Sequence, residues 1–301
     1  YDGTVQPAMR VNTTGAANVA IGSGALAANT TASNNTAVGY ASLAANTTGT
    51  FNASVGTFSL DANTTGANNT ALGYAALSAN TTANRNTAVG TSSLLVNTTG
   101  ANNTGIGVLA LGANTTASNN TAVGDSALLS NTTGENNVAV GAYALDAATT
   151  AGSNTAVGHN ALTTTTTGAL NTGVGSSALA NNTTGANNVA MGFAAMQLNT
   201  TASDNVAIGY AALNANTTGS LNVAVGSLAG DAITTGAAHT LIGYNAGSAI
   251  TTADAITAVG KDALEANTSG QNVAFGANAL ATVTTGTQNT AIGHDGLTVN
   301  T

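Results

Sequence analysis

The residues best suited to acid–base or metal chemistry in this chain are His159, His239 and His294. They lie far apart in the sequence, and no carboxylate recurs beside them. There is no cysteine, which excludes disulfides and thiolate metal sites. No nucleophile–base pair, phosphate-binding loop or metal-ligand spacing is present, so the sequence predicts no catalytic, cofactor or metal site and no enzyme. Asp61, Asp125, Glu135, Asp146, Asp262 and Glu265 fall where the sequence otherwise varies, and they read as a solvated face. Asn-Thr-Thr, which recurs throughout, is an acceptor sequence for N-linked sugars. Its paired threonines also suggest an ice-binding row. Adjacent strand residues face opposite sides, however, and a flat threonine face needs Thr-x-Thr.

The elements that must carry these residues are copies of one 17-residue unit, clearest at 63–79. Units start at residues 12, 29, 46, 63, 80, 97, 114, 131, 148, 165, 182, 199, 216, 233, 250, 267, 283 and 300. All intervals are 17 residues except the last but one, where Asn267 to Val283 is shorter by one. A period this strict marks a solenoid or array, which grows by adding copies and not by enlarging one core. Residues 1–11 resemble a worn partial copy, with Ala8-Met9 at the usual Ala-Leu positions. Residues 12–301 read as one repeat domain.

Composition narrows the function. Only 5% of residues are charged, with three Lys and Arg against eleven Asp and Glu and a net charge of −8. Nucleic-acid binders need clustered basic residues, so no nucleic-acid partner is expected. No apolar run is long enough to span a bilayer, so no membrane insertion is expected either. Hydrophobic residues make up 43% of the chain and recur at fixed positions, which opposes disorder.

The copies themselves show what each position demands. Position 11 is Gly in every copy, including Gly22, Gly39, Gly56, Gly73, Gly90, Gly107, Gly124 and Gly141. Such a position needs a positive φ or close backbone approach. Position 4 is Gly or Ala and reads as a second, milder corner. Position 7 is Asn in all but two copies: Asn18, Asn35, Asn52, Asn69, Asn86, Asn103, Asn120 and Asn137 open the series, and His239 and Ile256 break it. With the Asn of position 1, these predict two ladders of amides bonded along the stack. Position 15 is Leu or Met except at Gly230 and Gly247, and each of those is followed three residues later by Ile (Ile233, Ile250). Positions 15 and 1 are therefore expected to share interior volume. Position 10 is always apolar and is assigned to the core. Position 9, always small apart from Leu241, then points outward. Ala122, Ala139 and Ala156 are accordingly expected at a lateral contact with another solenoid. Tyr40, Tyr74, Phe193, Tyr210 and Tyr244 share position 12, a contact stripe or ordinary corner packing.

Asn-Thr-Ala-Val-Gly is short, partly β-branched and bounded by turn residues, which predicts a strand. Ala-Leu-x-Ala-Asn-Thr-Thr is expected to be a second, weaker strand. The fold class is all-β: a parallel β-solenoid, or β-roll, of about seventeen coils with two short strands per coil. One coil buries about one Val and one Leu, worth about 1.5–3 kcal/mol each. Ordering its residues costs about 1.5 kcal/mol apiece, so a lone coil cannot fold and neighbours must supply the rest.

Asn-x-Ala-Val-Gly-x-x-Ala-Leu resembles the repeats in head domains of YadA-like trimeric autotransporter adhesins and related phage tail-fibre repeats. The resemblance covers residues 12–301. It departs in unit length, since adhesin head units are nearer fourteen residues and lack the Asn-Thr-Thr-Gly insert. No neck, coiled-coil stalk or membrane anchor is seen. The resemblance implies a left-handed parallel β-roll packed three abreast, an extracellular or cell-surface location, and a structural or adhesive role.

The sequence thus predicts a structural subunit of an extracellular filament, with a trimeric adhesin head or tail-fibre shaft binding a surface receptor as the alternative. The partner expected is the chain itself, laterally and head to tail. The head-to-tail contact is assigned to Tyr1, Val5, Met9, Val11, Asn300 and Thr301, because Asn300-Thr301 begins a unit and residues 1–11 resemble part of one. A strand donated by residues 1–11 is the variant of that contact.

Overall fold

A computed structural model describes residues 7–297. The chain forms two compact units, Tyr1–Ser153 and Asn154–Thr301, and the same coil recurs in both. The first unit holds strands β1 (Val19–Ile21) to β8 (Val138–Val140), and the second holds β9 (Thr155–Val157) to β17 (Thr290–Ile292). Within each unit every strand pairs in parallel with the next copy's. The register is a shift of one repeat, as in Ala37 opposite Ser54 and Ala190 opposite Ala207. Only the pairing of β15 (Thr257–Val259) with β16 (Val273–Phe275) shifts by sixteen, at the shortened copy. The described residues contain no helix, and the fold is the expected parallel β-solenoid.

Each coil has one three-residue strand, at repeat positions 8–10, where two were expected. The Ala-Leu run is not extended. Its positions 13 and 15 are both left-handed, as in Ala41 and Leu43 (φ 53° each). A chain that alternates into the left-handed region cannot pleat, so the run curls through successive tight turns. Its backbone still bonds from coil to coil: Leu43 N–H donates to the Ser59 carbonyl at 3.0 Å, and Thr47 N–H to the Thr64 carbonyl at 3.0 Å. Left-handed φ costs a side-chain-bearing residue about 1–2 kcal/mol, and burial of the leucine side chain offsets it. Gly230 and Gly247 occupy the same backbone state (φ 58° and 63°) without that cost.

The interior is lined by position 15 (Leu26 to Leu280), the small residues of positions 9 and 14, and the Asn of positions 1 and 7. Where Gly replaces the leucine, the vacated volume is filled as expected. A Cβ on Gly230 would meet Ile233 Cδ1 at 2.9 Å and Leu241 Cδ1 at 2.7 Å. On Gly247 it would meet Ile250 Cδ1 at 2.6 Å.

Candidate association face

Position 11 is a corner of the kind that only glycine accepts. Gly124 has φ 138°, outside the regions open to L side chains, and a Cβ there would lie 2.5 Å from the Gly141 carbonyl oxygen. Position 4 is small for a different reason. Gly66 does not have a positive φ; its carbonyl is the meeting point of both ladders. Asn63 Nδ2 reaches it from the same coil at 3.0 Å, and Asn52 Nδ2 from the preceding coil at 2.9 Å. The crowding is steric, and Ala fits in six copies.

The two ladders exist and differ in chemistry. At position 7 the side-chain oxygen accepts from the next coil's backbone: Asn52 N–H donates to Asn35 Oδ1 at 3.0 Å, and Asn69 N–H to Asn52 Oδ1 at 3.0 Å. The same pattern joins Asn18 to Asn35, Asn86 to Asn103 and Asn120 to Asn137. At position 1 the bond runs between side chains, from Asn63 Nδ2 to Asn46 Oδ1 at 2.9 Å and from Asn80 Nδ2 to Asn63 Oδ1 at 2.8 Å. This second ladder has a direction. Each amide donates to the preceding coil, so a run of Asn leaves its last Oδ1 without a donor. Asn131, Asn216 and Asn267, which precede Ala148, Ile233 and Val283 in the repeat, carry such unpaired buried oxygens. The Asn of position 1 is buried from Asn29 onward, so those Asn-Thr-Thr acceptor sequences are shut inside the coil.

The two faces of the strand are opposite to expectation. Ala122, Ala139 and Ala156 are completely buried within the coil and cannot form a lateral contact. Position 9 stays small because it faces the position-15 side chain across a narrow interior. Leu241, its one large occupant, sits beside Gly230 and Gly247. The apolar residue of position 10 points outward. None of its seventeen copies is buried; Ile21 is 60% exposed, Leu72 48%, Ile106 38% and Phe275 47%. Position 8, mostly Thr and Val, stands beside it on the same face, and Val19 and Val138 are also exposed. Each unit therefore carries an unbroken file of apolar side chains, one per strand, along the outside of its parallel sheet. Isolated surface hydrophobics are ordinary, and a contiguous file of them is not.

Around the Gly corner from this file, position 12 exposes Tyr74, Phe193, Tyr210 and Tyr244. Phe193 and Tyr210 stack at 5.7 Å between centroids. Lys261 draws together two carboxylates, Asp262 and Glu265. No group of three metal-ligating side chains occurs among the described residues, and no helix is long and apolar enough to cross a membrane. Asp61 and Asp231 are half-buried, and desolvation raises their carboxyls above the usual range; Ser78 Oγ donates to Asp61 at 2.7 Å. Asp262 departs from the expected solvated face: it is 9% exposed and pairs with Lys261. Tyr1, Val5, Asn300 and Thr301 of the expected head-to-tail contact lie outside the described residues. Met9 N–H donates to the Ala25 carbonyl at 3.0 Å, the bond that Leu26 makes to Ser42 one copy later; Val11 is 40% exposed. Comparison with known protein families, characterised proteins and solved structures finds no match.

Proposed function

We propose that the chain is a non-enzymatic structural subunit of an extracellular filament, and that copies of it associate side by side through the file of position-10 side chains. That file carries the reading: an apolar residue is kept in every copy on a face that the folded chain itself leaves open to water. A second copy of the chain is the occupant that fits. It presents the same side chain at the same interval, so one registered contact repeats coil after coil. Burying each pair contributes about 25 cal/mol per Å² of apolar surface, summed over the coils. The extracellular placement rests on the resemblance to adhesin and tail-fibre repeats. The exposed rings of position 12 favour a second reading, a trimeric adhesin head or fibre shaft with a receptor-binding edge.

Sedimentation mass tests the proposal. The expected result is a multiple of the 28.7 kDa chain mass, open-ended for a filament and threefold for an adhesin head. A single-chain mass that persists at high concentration contradicts both.

A further inference from the structure

In the copy starting at Ile233 a histidine stands where fifteen copies have the ladder Asn. His239 is 1% exposed and keeps the ladder running through its copy. Its backbone N–H donates to Asn222 Oδ1 at 3.0 Å, continuing the ladder from the preceding coil. Its ring Nδ1 accepts from Ile256 N–H at 3.2 Å, the role of Oδ1 elsewhere. An accepting Nδ1 carries no proton, so the neutral ring holds its proton on Nε2. Nε2 is turned toward the Ala253 carbonyl, where an Asn would place Nδ2, but completes no hydrogen bond. Gly236 makes room for the ring, since a Cβ there would lie 2.8 Å from Nε2.

The surrounding copies have lost their other interior ladder ties. Position 1 is Ile233 and then Ile250, so the side-chain ladder stops at the unpaired Oδ1 of Asn216. Position 7 of the next copy is Ile256, which cannot accept. Inside the coil, the polar side-chain link from this copy to the next runs through one imidazole nitrogen; at the surface Thr234 Oγ1 donates to the Thr251 carbonyl at 3.2 Å and Ala237 N–H to Asp254 Oδ1 at 2.8 Å. From this geometry we infer that His239 is a proton-operated latch: in acid a proton on Nδ1 abolishes the bond from Ile256 and loosens the coils that meet there, while the apolar filling of Ile233, Leu241 and Ile250 holds them together at neutral pH.

The sign follows from the surroundings. Burial lowers the imidazole below its ordinary 6.5; the Ala253 carbonyl and the exposed Asp254 of the following coil act the other way and are outweighed. From the preceding coil the uncharged Asn222 meets the backbone N–H of His239. A group whose folded pKa is depressed gives its full stabilisation above the unfolded value, and loses it as the pH falls toward the folded one. The window therefore opens below 6.5. Asp231 in the same unit is shifted upward by desolvation, so acid acts on it in the stabilising direction and cannot mimic the effect.

Hydrogen exchange of the full chain at about pH 7.5 and about pH 5, compared with His239→Asn, tests the latch within the range where histidine changes charge. The substitution restores the residue that most copies carry. In the parent chain the Ile256 amide should lose about tenfold of its protection on acidification, the scale of one lost hydrogen bond. In His239→Asn, protection should change less than about twofold on the same scale. Ring ¹⁵N shifts of the parent chain provide an independent readout and should show the Nε2–H tautomer at neutral pH. Equal loss of protection in both chains, a ring protonated on Nδ1 at neutral pH, or a charged ring with Ile256 still protected would each overturn the proposal.

Discussion

At the scale of single residues, two substitutions separate conformational from polar constraints. Gly124→Val would place a branched side chain at φ 138° and drive its Cβ into the Gly141 carbonyl. Thermal melting should show a loss of about 3 kcal/mol or more, the strain of a forbidden backbone state plus an overpacked contact. An unchanged melting temperature would remove the corner assignment. The position-1 ladder makes a subtler prediction. Asn80→Ala strands the Oδ1 of Asn63, creating a new unpaired buried oxygen. Asn131→Ala strands the Oδ1 of Asn114 but removes the oxygen of Asn131, which already lacks a donor. Chemical denaturation should therefore find the Asn80 change costlier by about 1–3 kcal/mol, the penalty for one orphaned buried polar atom. Equal costs would show that the ladder has no direction.

At the scale of the coil, Leu241 shows how shape overrides consensus. Thirteen copies carry Ala at position 9, yet Leu241→Ala should destabilise the chain by about 3–5 kcal/mol. Gly230 and Gly247 on either side offer no position-15 side chain of their own to close the cavity. A neutral effect on the melting temperature would mean that the coil collapses around the gap. The same residue explains what the sequence made legible. Invariant Gly at position 11 and recurrent Asn at positions 1 and 7 state backbone and hydrogen-bond requirements directly, and both were readable. Alternation shows that positions 9 and 10 face opposite ways without saying which way is in. Apolar character favoured position 10, but the interior is too narrow for a branched residue opposite Leu43 or Leu77, and Ala37 and Ala71 fill it instead. The correlation of Leu241 with Gly230 and Gly247 was the available signal that position 9 shares space with position 15. The left-handed turns at positions 13 and 15 left no such trace, because Leu carries no sign of a positive φ.

At the scale of the whole molecule, a coil gains its stability from its neighbours, and the ladders and backbone bonds supply that gain inside each unit. They leave the outward apolar file unused. With 5% charged residues, the surface has little charge repulsion to keep such files apart. Two triple substitutions test directly whether the file is the association face. Leu72→Asp, Ile106→Asp and Val140→Asp together alter exposed side chains on the outer face of the first unit. Ala122→Glu, Ala139→Glu and Ala156→Glu alter buried ones. The decisive measurement is the sedimentation mass of the Asp variant beside the parent, with circular dichroism on both variants. The account predicts that the Asp variant keeps the parent spectrum and falls to single-chain mass, while the Glu variant unfolds. An Asp variant with the parent's assembled mass, or a Glu variant that stays folded and merely dissociates, would contradict it.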